Sequence, residues 1–201
     1  MKKSVRVFKN VNDITFNEND KNIIFITGLS GSGKSYLSKE LANKYNSSIF
    51  QPEWLIHYTH TSEEFKPFLD EFIDRYNIRN YVDSKWDNSK DEDNNEELKK
   101  YINLLVKEFI LNANNSKKYI VEGLQLFTLI DINLIKNYYL IVKGTSSVNS
   151  LRNRIKRDYK KRKDYKLIDK IKWFIKVIKQ SKLYQFKHRK KLNEFIRKME
   201  G

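Results

Sequence analysis

The stretch IIFITGLSGSGKS, residues 23–35, decides the fold predicted for this chain. It opens with an apolar run of the kind that forms a buried β-strand. Three of the six glycines among the 201 residues follow between positions 28 and 33, and a lysine and a serine come directly after them. Because glycine adopts backbone conformations that other residues avoid, this placement predicts a tight turn between a strand and a helix.

The octet GLSGSGKS, residues 28–35, matches the pattern G-x-x-x-x-G-K-[S/T] of a phosphate-binding loop. Successive amides in such a turn and the positive end of the following helix attract an anion. Lys34 is predicted to reach the β- and γ-phosphates of ATP, and the Ser35 hydroxyl to ligate Mg²⁺. The residues predicted to contact the nucleotide are Gly28, Ser30, Gly31, Ser32, Gly33, Lys34, Ser35 and Tyr36.

A second candidate site residue, an acidic one, lies in KKYIVEGLQLF, residues 117–127. Glu122 ends an apolar strand that should run beside the strand preceding the glycines, and Gly123 keeps the chain clear of the pocket. A carboxylate at that place can hold Mg²⁺ through water. Ser35 and Glu122 are therefore the predicted metal residues.

The wider pattern alternates strands and helices from residue 23 to about 160. Such alternation predicts a three-layer α/β/α sandwich on a mostly parallel sheet, built as one domain over residues 1–201. A helical C-terminal region is predicted over about 167–200, with a break near residues 184–188. The other predicted segments are two short strands within 4–17, strands within 47–51, 117–127 and 137–144, an acidic loop at 83–97 and a helix at about 96–112.

Composition limits the kinds of site and the cellular location that the protein can have. The chain has no cysteine, which excludes disulfides and thiolate metal sites. It has no apolar run near the roughly 20 residues of a membrane span, and its N-terminus lacks the apolar core of a secretory signal. These features predict a soluble, cytoplasmic protein.

Positive charge is concentrated in the last third of the chain. The formal net charge is +15, but residues 1–135 carry 18 basic and 20 acidic side chains, whereas residues 136–201 carry 22 and 5. This asymmetry indicates an anionic partner, which is a phosphorylated small molecule, a nucleic acid or a membrane surface. The alternative is that a lysine-rich chain places lysines on solvated helix faces.

Three segments together resemble one family. ITGLSGSGKSYLSKEL, VEGLQLF and SLRNRIKRD (residues 26–41, 121–127 and 150–158) look like the P-loop kinases of small molecules, the group that includes uridine kinase, nucleoside monophosphate kinases, adenylylsulfate kinase and zeta-type toxins. The resemblance covers about residues 23–160 and implies transfer of a phosphoryl group from ATP.

The resemblance also implies a mobile lid, at about residues 145–165. In the family, lid arginines neutralise charge in the transition state, which suits a planar, always-charged guanidinium. For this chain the resemblance implies that Arg154 and Arg157 act in catalysis together with Lys34 and that Arg152 binds the nucleotide. A basic helix face that contacts solvent or an RNA backbone is the alternative interpretation.

An acid after the second strand normally orients or deprotonates the acceptor in this family. Glu53, in SIFQPEWLIHY (residues 48–58), matches the family's aspartate by spacing, although it is one methylene longer. Trp54, His57 and Tyr58 either stack on an acceptor ring or belong to the core. The family's strand after the lid is missing from the pattern, so N-terminal strands are expected to complete the sheet.

The sequence thus predicts an ATP- and Mg²⁺-dependent kinase with a small-molecule acceptor, a nucleoside or nucleotide being one candidate class. One alternative is a polynucleotide 5′-hydroxyl kinase that tracks nucleic acid with the basic C-terminal third. Another is a non-kinase ATPase of transporter type. Two features argue against the transporter-type ATPase. The chain has no LSGGQ-like signature, and the apolar strand that ends at Glu122 is followed by Gly123, so the pair reads Glu-Gly and not Asp-Glu.

Overall fold

The structure is a computed structural model that describes residues 5–6, 22–79, 82, 96–144, 147–160 and 166–200. Its strands are β1 (Val5–Arg6), β2 (Ile23–Gly28), β3 (Ser48–Phe50), β4 (Tyr119–Glu122) and β5 (Tyr139–Lys143). Its α-helices are α1 (Lys34–Tyr45), α2 (Lys66–Arg75), α3 (Glu96–Asn112), α4 (Gln125–Thr128), α5 (Ile132–Ile135), α6 (Ser147–Lys160) and α7 (Leu167–Glu200). The predicted acidic loop up to residue 95 and most of the predicted N-terminal strands lie outside the described residues.

The strands form one sheet in the order β1-β5-β2-β4-β3, and every described pair is parallel. On one face, Ile24 and Ile26 of β2 pack in a cluster with Leu37 and Leu41 of α1. On the other face, Phe25 joins a larger cluster to which α2, α3 and the C-terminal part of α7 contribute. Helices therefore cover both faces, which is why β2 is buried along its whole length. The predicted α/β fold with a parallel sheet is confirmed, and its layering is consistent with a three-layer sandwich.

The N-terminus contributes the edge strand next to β5, with Val5 opposite Leu140. This confirms the expectation that an N-terminal strand completes the sheet. The predicted break near residues 184–188 is wrong, because α7 continues from Leu167 to Glu200. That stretch contains no proline or glycine to interrupt a helix. Among the residues that the structure describes, no helix combines the length and apolar character that crossing a bilayer requires.

The sheet brings the two predicted halves of the site together. β2 and β4 are neighbours in register, with Ile26 opposite Glu122. Because both strands run in the same direction, the loop that follows β2 and the residues that end β4 meet at the carboxyl edge of the sheet. Crevices at this edge are the usual ligand sites of open parallel sheets.

Candidate functional site

The glycine-rich loop (residues 28–35) has a backbone that only glycine adopts easily. Gly31 and Gly33 have φ angles of 79° and 90°. Gly28 has a φ of 148°, and a Cβ there would lie 2.4 Å from the carbonyl oxygen of Lys143 in the neighbouring strand. A side chain at position 28 would therefore push β5 away. Three glycines in six residues are thus a steric requirement of this turn.

The loop leads directly into α1 and holds two buried polar side chains. Gly33 is the N-cap of α1 and no side chain caps the helix, so its positive end faces the loop. Ser32 is only 6% exposed, and its Oγ has no hydrogen-bond partner within the described structure. The Ser32 amide, in contrast, donates to the carbonyl of Leu29 at 3.1 Å, so the turn itself uses that amide. A buried hydroxyl without a partner costs about 1–3 kcal/mol, which a bound acceptor would offset.

Lys34 lies at the start of α1 with only 9% of its surface exposed. Its Nζ donates to the carbonyl of Leu29 at 3.3 Å, so the side chain folds over the loop. Its charge also acts on Glu122. The loop therefore holds a buried ammonium group at the strand edge.

Glu122 is buried at the end of β4 and accepts hydrogen bonds from both sides. The Ser35 hydroxyl donates to Oε1 at 3.2 Å, and the amide of Gln51 donates to Oε2 at 2.6 Å. Thr27, at the end of β2, donates its hydroxyl to the carbonyl of Gly123 at 2.8 Å and ties the two strand ends together. The two predicted metal residues, Ser35 and Glu122, are therefore in contact.

Burial raises the pKa of Glu122 above the ordinary value of a glutamate. The positive charge of Lys34 and the hydrogen bonds from Gln51 and Ser35 act in the opposite direction, whereas the charge of Glu53 raises the pKa further. The desolvation of the carboxylate outweighs its partners, so the site disfavours this negative charge. A bound cation would relieve that penalty.

We expect the Glu122→Gln variant to have a higher Tm than the wild type at neutral pH, because burial penalises the charged carboxylate. Because the pKa of Glu122 is higher in the folded than in the unfolded protein, its carboxyl group stabilises the folded wild type at pH values below the ordinary pKa of glutamate. This stabilisation is lost as the pH rises through the pKa of the folded protein. Glutamine does not ionise, so the variant escapes this loss, and its stability advantage over the wild type in thermal unfolding without metal should grow with pH. An identical pH dependence of Tm in the variant and the wild type would contradict the raised pKa of Glu122.

Glu53 lies near this carboxylate. It belongs to a 3₁₀ turn, Pro52–Leu55, directly after β3, and its side chain is half-buried. Its charge contributes to the raised pKa of Glu122, so the two acids face the same region. Trp54 is 5% exposed and packs edge-on against Phe50 with ring centroids 5.7 Å apart, which makes it a core residue.

The predicted lid helix contacts the glycine-rich loop. The Asn153 amide, on α6, donates to the carbonyl of Gly31 at 3.1 Å. Arg152 is exposed on the same helix. Arg154 and Arg157 also belong to α6, but their side chains lie outside the described part of the structure. The arginine-bearing helix is therefore anchored beside the loop.

Tyr36, which sequence reasoning placed among the nucleotide contacts, is 69% exposed. A hydrogen bond with Glu40, one turn further along α1, raises the pKa of its hydroxyl. The hydroxyl thus has a partner on the outer surface of the helix.

Sequence reasoning missed two residues of this site. Gln51 orients Glu122, and Asn153 joins α6 to the loop. Gln51 directly follows β3, whereas Glu122 is the last residue of β4, and a polar residue at the end of an apolar run is the sequence signal for both. Asn153 lies 122 residues away from its partner Gly31, and no local pattern marks it.

Within the described ranges, no group of three or more His, Asp or Glu side chains is placed to hold a metal ion. Mg²⁺ differs from other metals in this respect, because proteins commonly bind it through one or two side chains together with substrate phosphates and water. Ser35 and Glu122 bring a hydroxyl and a carboxylate oxygen within 3.2 Å of each other.

Comparison with known proteins does not identify a family. No protein-family model matches the chain, and no curated protein matches it. A matching solved structure is the crystal structure of an uncharacterized protein from Eubacterium ventriosum, with 14% sequence identity, coverage of 81% of this chain and 74% of that chain, and a TM-score of 0.40. A likeness that distant carries no functional information, so function has to be inferred from the residues of this chain.

Proposed function

We propose that this protein is a P-loop kinase that transfers the γ-phosphate of ATP, with Mg²⁺, to a small-molecule acceptor. One observation carries the proposal. A glycine-rich turn with the pattern of a phosphate-binding loop places Lys34 and Ser35 against Glu122, at the carboxyl edge of a parallel sheet. A cation, a hydroxyl and a carboxylate at a helix N-terminus are the groups that phosphoryl transfer requires.

The described residues fit a magnesium-bound triphosphate. Ser32 offers a buried hydroxyl without a partner, Gly33 leaves open space where a Cβ would stand, and the N-terminus of α1 has no side-chain cap. Ser35 and Glu122 would hold Mg²⁺, the latter through its carboxylate or through water. Mg²⁺ supplies positive charge to the phosphate oxygens when it is bound.

The residues of the chain divide the remaining work between them. Lys34 stabilises the negative charge of the β- and γ-phosphate oxygens. Glu53 accepts the proton of the acceptor hydroxyl while that oxygen forms its bond to the γ-phosphorus and the bond between this phosphorus and ADP breaks. Arg154 and Arg157 stabilise the charge on the transferring group, and the contact of Asn153 with Gly31 keeps their helix beside the loop.

The excess of positive charge after residue 135 favours a second candidate, in which the acceptor is a polynucleotide 5′-hydroxyl. The two candidates differ in their response to salt. Binding of a polynucleotide should weaken about 10³- to 10⁵-fold between 50 and 200 mM salt if some six to ten phosphates are contacted. Binding of a small acceptor should change little.

The experiment that tests the proposal is transfer of labelled γ-phosphate to a panel of nucleosides, nucleotides, sugars and short oligonucleotides. A labelled product that requires Mg²⁺ supports a kinase, and the salt dependence of its formation separates the two acceptor classes. ATP hydrolysis without any labelled acceptor, across the whole panel, would favour the non-kinase ATPase instead.

A further inference from the structure

The first turns of α7 expose an unusual number of large apolar side chains. Their exposed fractions run from 43% to 73%, and we call them the apolar stripe: Leu167, Ile168, Ile171, Phe174 and Ile175. Spacings of three, four and seven residues place these side chains on one side of the helix. The stripe is thus a continuous apolar surface outside the core.

The other end of the same helix is fixed to the protein. Leu192, Phe195 and Met199 are buried in the main core. Because α7 continues without a break from Leu167 to Glu200, it carries the stripe on a rigid support. None of these residues belongs to the site at the glycine-rich loop.

Lysines lie beside the stripe where the structure describes their side chains. Residues 166–182 contain six lysines and one aspartate, and Lys166 and Lys172 are exposed beside the apolar residues. The Nζ atom of Lys170 lies 5.7 Å from the ring centroid of Tyr159, so this lysine contacts α6. This end of α7 therefore combines an apolar surface with a positive border.

We propose that the apolar stripe and its lysines dock this protein on an anionic membrane surface. A helix with lysines on its polar side and isoleucine, leucine and phenylalanine on the other lies in the plane of a bilayer interface, with its apolar side below the headgroups. Each lysine near an anionic surface adds an electrostatic attraction to the apolar contact. The interaction is peripheral and involves no crossing of the bilayer.

Charge and apolarity together select this partner over two others. A nucleic acid would match the lysines but would leave five exposed apolar side chains without a counterpart. A second copy of the chain would match the apolar side chains but would bring two lysine-rich surfaces together, which like-charge repulsion opposes. An anionic lipid interface matches both features.

The test is co-sedimentation of the full chain with vesicles of phosphatidylcholine alone and of phosphatidylcholine mixed with phosphatidylglycerol. We expect binding to the mixed vesicles, weaker binding at high salt, and little binding to phosphatidylcholine. The double variant Leu167→Asp, Ile171→Asp should lower the partition coefficient at least about tenfold, since two apolar contacts are lost and two negative charges are added. Both positions are exposed, so far-UV circular dichroism should be unchanged.

The matched control is Leu111→Asp on α3, because Leu111 is 72% exposed and Leu167 is 73% exposed. This control should bind the mixed vesicles like the wild type. Equal binding to both kinds of vesicle, or equal loss in the control and the double variant, would overturn the proposal. The proposal would also be overturned if the wild type did not bind vesicles but instead self-associated or bound duplex nucleic acid, and if the double variant abolished that interaction.

Discussion

The Lys34→Ala variant is expected to transfer phosphate about 10² to 10³ times more slowly than the wild type, while it keeps its fold. Lys34 lies buried beside Glu122 at the start of α1, so its ammonium group is in place before the substrate arrives. A positioned charge inside a site with little water stabilises a transition state far more than a solvated one, and removal of one such group commonly costs this much. The measurement is kcat and KM for ATP in the transfer assay.

The control for this variant is Lys39→Ala. Lys39 lies on the same helix but is exposed. Its replacement removes an equal charge at a distance from the glycine-rich loop, so activity should stay within about twofold of the wild type, as expected for a surface change. Equal losses in both variants would mean that net charge, and not the position of Lys34, determines activity.

The Arg157→Ala variant is expected to lower kcat about 10³-fold or more and to raise KM for ATP much less. An arginine that stabilises the transferring phosphoryl group acts mainly in the transition state, and such arginines contribute roughly 10³ to 10⁵ in kcat. The contact of Asn153 with Gly31 holds α6 beside the glycine-rich loop, which brings this helix near the predicted phosphates.

Lys156→Ala is the matched control, because Lys156 is an exposed cation next to Arg157 on the same helix. It should leave kcat nearly unchanged. If Arg157→Ala instead reduced only the binding of RNA or DNA and left kcat intact, α6 would be a nucleic-acid surface and its assignment as a lid would be wrong.

Sequence reasoning predicted the parts of the fold that local pattern determines. The α3 helix has the predicted bounds, because Leu98, Ile102, Leu105 and Phe109 recur at helical spacing and all four are buried. The carboxylate at position 122 was expected beside the glycine-rich loop, because it ends an apolar strand and parallel neighbours end at one edge. These inferences need only periodicity and the rules of parallel sheets.

Other features depend on which distant segments meet. Gln51 reaches Glu122 only because β3 pairs with β4, and Asn153 reaches Gly31 only because α6 packs back over the loop. The unbroken α7 was missed for another reason. The sequence pattern predicted a break near residues 184–188, but His188 is buried in an edge-on ring contact with Phe127 and the helix continues. Burial of a polar side chain by tertiary packing has no local signal.

A crystal structure with a non-hydrolysable ATP analogue and Mg²⁺ tests the central claim most directly. We expect the β- and γ-phosphates against the glycine-rich loop, with the Ser32 hydroxyl and Lys34 donating to them and the metal bound between Ser35 and Glu122. A nucleotide bound elsewhere, or a loop that stays empty at saturating nucleotide, would contradict the claim.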